Sequence, residues 1–442
     1  MASEPDPPTT PALRRAEEVH AALFREWLLL IVATAAALPT PILRLLDLTN
    51  TADLHIPHAL EALIFGLGIF AAATLLTWAS EVAETEVSAG LALVILALIA
   101  VLPEYAVDLY FAWTAPTNPE NAHFAIANMT GGNRLLVGLA WPAIFLIFYM
   151  RTRTREMPVV RGNSVGILFL GAATLYSFSI PIRGHLSLID TAVMFSLFAA
   201  YMYISSRAPP EEERVFVGPA AAIAALPRLP RRLLVLGIFV FAAAVIFAAA
   251  EPFAEGLVET GKGAGIDEFV LVQWVAPLAS ESPEFILAGL LALRGRWDAG
   301  MTILISSKVN QWTLLIGSLP LAYSISGGTF SPLDFDSRQS EEVFLTAAQS
   351  LFAVAILVSL SMNRWEAILL GGLFLTQFFI TNESVRLVYA VVYSVLALAI
   401  LARDVPHFRF FFRAVRDTIV DPHGTAAKDR ENRDRNETNR RE

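Results

Sequence analysis

The chain has 442 residues, 55% of them hydrophobic and only 17% charged, with a formal net charge of −9. Soluble globular domains carry about 25% charged residues, so this composition excludes an ordinary water-soluble domain and points to a polytopic membrane protein. There is no cysteine, which excludes both disulfides and thiolate metal sites.

Residues 1–25 are polar and Pro-rich. They do not resemble a cleaved signal peptide, because the first apolar run follows a long polar leader. Runs long enough to span a bilayer, about 20 residues, lie near 27–46, 59–81, 88–114, 122–150, 163–182 and 186–206. After a polar loop, others lie near 232–256, 266–293, 299–325, 342–361, 364–381 and 385–402. The expected fold is therefore an all-α polytopic membrane protein with about 12 transmembrane helices. The loop 207–231 separates two halves, 59–206 and 232–381. Residues 1–58 form a tail and an extra helix in this reading, and 382–420 another helix with a juxtamembrane segment. The segment 421–442 is polar and mixed in charge, the composition of a disordered tail.

The arginines test the count. With the N-terminus inside, the loop 151–162 is cytoplasmic and holds Arg151, Arg153, Arg155 and Arg161. The loop 207–231 is also inside, with Arg207, Arg214, Arg228 and Arg231. Arg294, Arg296, Arg364 and the Arg-rich tail fall on the same side. The opposite loops carry no Lys or Arg in 47–58 or 115–121, and one each near 183, 262 and 338. This bias predicts an integral membrane protein, in the plasma (inner) membrane, with both termini cytoplasmic.

Two stretches recur. Leu102-Pro103-Glu104-Tyr105 in the first half matches Ser282-Pro283-Glu284-Phe285 in the second, 180 residues later. Downstream of Glu104 comes a run from Asn128 to Gly138, and downstream of Glu284 a run from Ser307 to Gly317. The closing glycines lie 34 and 33 residues after their glutamates. Five spans separate each copy from its partner, so the copies insert in opposite orientation. This is a 5+5 inverted repeat, with a site expected where the halves meet near the bilayer midplane. Ionisable residues at that depth are functional candidates, because each costs roughly 2.5–3.5 kcal/mol on insertion scales. Pro103 and Pro283 break or start helices. Glu284 would then stand in the first turn of a half-helix, at the positive end of its dipole.

At these residues the sequence resembles the sodium/calcium exchanger (cation/calcium antiporter) superfamily. Its two alpha-repeats each carry a Pro-Glu in a broken helix, followed by a helix rich in small and amide residues. The resemblance covers about 59–206 and 232–381. It implies a secondary cation antiporter in which Glu104 and Glu284 coordinate the transported metal, with no enzyme activity and no resident cofactor. The sequence also departs from the family. Ala100-Val101 and Ser280-Glu281 stand where Thr-Ser is usual, and Leu136 and Leu315 stand where sodium-coupled members place Asn or Asp. Gln311, beside Asn310, is closer to the cation/proton exchanger branch.

A hard divalent cation takes six to eight oxygens. Glu104 and Glu284 supply charge, and the helix breaks offer carbonyls near Ala100, Ala279 and Ser280. Asn128, Asn133, Ser306, Ser307, Asn310 and Gln311 could add neutral oxygens. Two further acids are unexpected: Asp108 shares the helical face of Glu104, and Glu281 is three residues before Glu284. Four carboxylates in one low-dielectric site cannot all stay ionised, which suits exchange of a metal against protons. Lys308 and Arg134 are expected to compensate charge there. Unpaired, these six groups would cost on the order of 15–20 kcal/mol.

The reading is thus exchange of Ca2+, or a related cation, against H+ or Na+ by alternating access, with H+ favoured. The bilayer and inorganic cations are the expected partners, and nucleic acid is not. Monovalent Na+/H+ exchange is the alternative. An intramembrane enzyme is more distant, since no His-Glu-x-x-His or Gly-x-Gly-Asp occurs. A cation channel fits paired, buried acids less well than an occluding site does.

Overall fold

The computed structural model describes residues 11–49, 56–83, 101–207, 216, 218–378, 380–403 and 405–441, with backbone alone for 11–23, 406 and 432–441. The first half contains α1 (Pro11–Ala37), α2 (Pro39–Leu48), α3 (His58–Ala83), α4 (Leu102–Thr114), α5 (Glu120–Leu135), α6 (Trp141–Thr152), α7 (Ser164–Ser177), α8 (Ser179–Arg183) and α9 (Leu188–Ser205). The linker holds α10 (Pro219–Ala224). The second half contains α11 (Arg228–Ala264), α12 (Glu268–Leu293), α13 (Trp297–Asn310), α14 (Ile316–Gly327), α15 (Ser337–Leu357) and α16 (Arg364–Gln377). Then come α17 (Glu383–Arg403), α18 (Val405–Val420) and α19 (Pro422–Arg441). A π-helical turn at Leu136–Ala140 joins α5 to α6, and another at Gln311–Leu315 joins α13 to α14. Such turns insert one extra residue into a helix and recur at functional sites.

Nine helical runs among the described residues are long and apolar enough to cross a membrane. The remaining three expected spans are also helical where described. They are α4, whose upstream part (88–100) lies outside the described residues, α13 with α14, and the short α16 of 14 residues.

Two small antiparallel pairings give an independent check on the crossings. β1 (Glu156–Pro158) pairs with β4 (Ser361–Asn363), placing Met157 opposite Met362. β2 (His185–Leu186) pairs with β3 (Leu333–Asp334), placing Leu186 opposite Leu333. Paired strands lie on the same side of the membrane, so an even number of spans must separate them. The twelve-span reading puts six spans between β1 and β4 and four between β2 and β3. Both conditions hold. The pairings also interchange under the repeat. β1 follows the third span of the first repeat and β4 the fourth of the second, while β3 follows the third of the second and β2 the fourth of the first. Each repeat is therefore clipped to the other once on each side.

The apolar packing divides unevenly. α3 and α11, the first helices of the two repeats, lie against each other: a Cβ on Gly256 would stand 3.0 Å from the backbone nitrogen of Ala62. With α1 and α10 they share a core of Leu75, Leu76, Ile223, Val245 and Ile246. The larger core takes in α4 to α9 and α12 to α18, together with one end of α3 (Ala62, Phe65 and Ile69) and the matching part of α11 (Phe253 and Leu257). The linker is thus docked rather than merely connecting, through Ala220 and Ile223 of α10.

Two expectations are corrected. α12 does not break at Pro283; it runs as one helix of 26 residues with Pro277 and Pro283 inside. Each proline removes one N–H, leaving the carbonyls of Gln273 and Ala279 without their helical donor. Transmembrane helices tolerate this when hydroxyls and neighbours satisfy the backbone. The Ser280 and Ser282 hydroxyls bond other carbonyls of the helix: Ser280 donates to those of Ala276 and Pro277 at 3.3 and 3.4 Å, and Ser282 to that of Leu278. In contrast, α4 does begin at the first Pro-Glu, with Pro103 in its opening positions and Glu104 in its first turn. The second correction concerns the tail, which is not disordered where described: α19 is helical, and Asp429 accepts hydrogen bonds from the backbone of Arg161 and Gly162 at 3.2 and 3.1 Å. A specific backbone partner offsets the polar composition that argued for disorder.

The free carbonyl of Gln273 sets the contact between α12 and α5. A Cβ on Gly131 would lie 1.8 Å from that oxygen. Backbone cannot yield as a side chain does, so Gly131→Ala is expected to cost at least about 1–3 kcal/mol and to lower the thermal unfolding midpoint in detergent. Gly289→Ala, inside α12 with nothing within 4 Å of its added Cβ, is the control and does not lower the midpoint, since Ala favours a helix interior over Gly.

Candidate cation site

Four helices converge at the centre. α4 brings Glu104, Tyr105 and Asp108; α5 brings Asn128, Gly132 and Asn133. α12 brings Gln273, Glu281 and Glu284, and α13 with its π turn brings Ser307, Lys308, Asn310 and Gln311. Glu104, Asp108 and Glu281 are almost wholly buried, at 4, 2 and 3% exposure, whereas Glu284 is half-buried. Glu104 lies within electrostatic reach of Glu284, Glu281 and Asp108. Glu281 faces Glu284, Asp108 and the ammonium of Lys308. Asp108 lies beside Asn128, Glu284 beside Ser307, and Gln311 beside both Glu104 and Glu281.

The sequence-derived donors divide into those that face this centre and those already bonded elsewhere. Seven buried oxygens of the residues at this centre make no hydrogen bond: Oε2 of Glu104, Glu281 and Glu284, Oδ1 of Asp108 and Asn128, Oγ of Ser307 and Oε1 of Gln311. Buried polar atoms are nearly always paired, so a group of orphans calls for protons, water or a cation. Asn133 is taken: its carbonyl and Oδ1 accept from Lys308 Nζ at 3.2 and 2.7 Å. Asn310 Oδ1 accepts from the Tyr105 hydroxyl at 3.1 Å. The Ser280 hydroxyl turns back onto its own helix, and Ser306 meets Tyr201 at 3.2 Å, away from the centre. Ala100 lies outside the described residues. Among the described residues, no three His, Asp or Glu side chains converge tightly enough to hold a metal ion together. A cation here would draw on one or two carboxylates and on neutral oxygens, a mixture that suits Ca2+.

Gly132 has a local task. A Cβ there would stand 2.0 Å from Glu281 Oε1. The missing side chain lets that carboxylate lie against α5.

Arg134 corrects the expectation of charge compensation. It points away from the four acids and pairs with Glu342 of α15 at 2.6 Å, with its guanidinium 5.0 Å from the centre of the Trp274 ring. Arg386 of α17 binds Glu342 and also Glu341 at 2.9 Å. This network of two arginines and two glutamates is balanced in charge. Sequence reasoning missed its acids and Arg386 because they fall at predicted span ends, where charge is unremarkable. Lys308 is fully buried and lies beside Glu281, with Nζ also 4.6 Å from the centre of the Trp312 ring. The central site is therefore unbalanced, with four acids against one lysine.

A family profile described as sodium/calcium exchanger protein matches residues 59–207 and 234–381. The chain belongs to the sodium/calcium exchanger family. The exchanger is similar to the crystal structure of the H+/Ca2+ exchanger CAX, at 44% identity over 90% of this chain and 99% of that one, with a TM-score of 0.83. Two more distant structures share the fold. Native YfkE is 15% identical, with a TM-score of 0.54 over 83% of this chain and 99% of that one. The sodium-calcium exchanger NCX_Mj is 16% identical, with a TM-score of 0.50 over 74% of this chain and 99% of that one. A comparison with curated proteins found no match. The exchanger is a membrane-spanning cation antiporter.

The balanced network makes a stability prediction. Removing one member of a buried pair costs about 3–5 kcal/mol, because the partner is left charged and dry. Glu342→Gln should therefore lower the exchanger's thermal midpoint strongly. Adding Arg134→Met to it should recover part of the loss. If the double variant melts lower than Glu342→Gln, the two residues do not act as a pair.

Proposed function

We propose that the exchanger moves Ca2+ against H+ by alternating access, with Glu104 and Glu284 holding the metal and Asp108 and Glu281 sharing the site's protons. The observation that carries this reading is the unbalanced, buried carboxylate cluster with its seven orphaned oxygens. Metal and protons would compete for the same negative charge, so loading one expels the other. Similarity to the H+/Ca2+ exchanger CAX supports the choice of ions. Lys308 supports it too, because it already places one positive charge beside Glu281 without any second bound metal. The arginine-rich loops support a plasma-membrane orientation with both termini in the cytoplasm.

The chemistry follows from charge. Four carboxylates and one ammonium carry a deficit of three charges when bare. Replacing one Ca2+ by two protons leaves the charge of the site unchanged, so neither loaded state is penalised relative to the other in a low dielectric. Gln311 can present Oε1 to the metal in one state and its amide N–H to a carboxylate in the other.

In proteoliposomes, an imposed pH gradient should drive isotopic Ca2+ flux, and a sodium gradient should not. Glu104→Gln and Glu284→Gln should each lower that flux by more than about tenfold, since carboxylate charge sets the affinity for a hard cation. Flux that ignores pH and follows sodium would overturn the proton assignment. Intact flux in both variants would overturn the site. A second measurement tests the stoichiometry: with the membrane potential clamped at different values, two-for-one exchange keeps one rate. A rate that changes with potential rules it out.

A further inference from the structure

We propose that α18 lies in the membrane interface and binds the headgroups of anionic phospholipids through Arg409, Arg413 and Arg416. Its position comes from its neighbours. α17, a membrane span, ends at Arg403, and α18 starts at Val405. The helix packs on α7 and on the 3-10 turn Arg161–Asn163, at the start of another span. Both neighbours place it at the edge of the bilayer.

Its two stripes have different surroundings. Phe411, Ala414 and Val415 are buried at 3–5% exposure, and the Thr418 hydroxyl donates to the Arg161 carbonyl at 3.4 Å. At 3.6 residues per turn, Arg409, Arg413 and Arg416 fall on a separate stripe with Phe412 and Val420. Phe412 is 54% exposed and Val420 76%. Among the described residues Arg409 and Arg413 have no acidic partner, and Arg416 has only its neighbour Asp417, at 3.7 Å. Bare apolar groups between arginines that have no acidic partner on another helix among the described residues are ill-suited to water. They suit a bilayer boundary, where apolar groups enter the acyl region and guanidiniums reach lipid phosphates. An anionic surface attracts such a basic segment, and salt screens the attraction. Asp429 of α19 holds the backbone of Arg161 and Gly162, so the same turn is gripped from the lipid side and from the tail.

The chain has no cysteine, so one can be placed at will. Full-length Val420→Cys carrying a nitroxide label is reconstituted into discs of phosphatidylcholine, or of phosphatidylcholine with phosphatidylglycerol. The proposal expects the label to lose access to a water-soluble relaxation agent, and to gain access to oxygen, in the anionic disc only. High salt should reverse the change in the otherwise unaltered chain. The triple variant R409Q/R413Q/R416Q should abolish it. Equal access in both discs overturns the proposal. So does the same protection in phosphatidylcholine with free inorganic phosphate, which would mark a soluble-anion site. The salt arm needs no arginine variant, so misfolding of the triple variant leaves the test standing.

Discussion

The structure depends on how it handles charge where water is scarce. Two ionic groups lie in the bundle, and they differ in one respect. Arg134, Arg386, Glu341 and Glu342 pair with one another, two basic groups against two acidic, and tie α5, α15 and α17. Glu104, Asp108, Glu281 and Glu284 face a single lysine, so their charge must be completed from outside. A buried charge imbalance is costly unless a mobile ion or proton relieves it. The balanced group serves the scaffold and the unbalanced one the cargo.

The scaffold around that imbalance is built symmetrically. The pairing of β1 with β4 and of β2 with β3 joins the repeats on both membrane faces. These clips involve the segments between α6 and α7, α8 and α9, α14 and α15, and α15 and α16. α3 and α11 lie outside the clips, pack on each other, and share their core with α1 and α10. α3 and α11 also reach the larger core through Phe65 and Phe253, beside α4 and α12, which carry the acids.

Much of this was legible in the residues. Periodicity of apolar runs and the arginine bias place the spans, because a bilayer imposes one length and one charge rule. The repeat located Glu104 and Glu284, and the excess of acids singled out Asp108 and Glu281. Other features depend on geometry that a linear pattern does not carry. Asn128 and Asn133 look alike in sequence, yet only Asn133 is claimed by Lys308. Arg134 and Lys308 both look like counter-charges, yet α15 supplies Glu342 to one of them. The two Pro-Glu motifs look equivalent, yet α4 begins at the first and α12 runs through the second.

That last difference bears on mechanism. α4 starts at the first motif, so Glu104 sits at the positive end of a helix dipole, and it is 4% exposed. α12 passes straight through the second motif, so Glu284 sits 16 residues inside a helix and is half-buried. Repeats with one sequence logic thus adopt two conformations in one molecule. Pro283 gives Ala279 no N–H, so a break there forfeits one hydrogen bond fewer than at most positions of α12. The proline that fails to end the helix in this state still marks the point where the helix opens most readily.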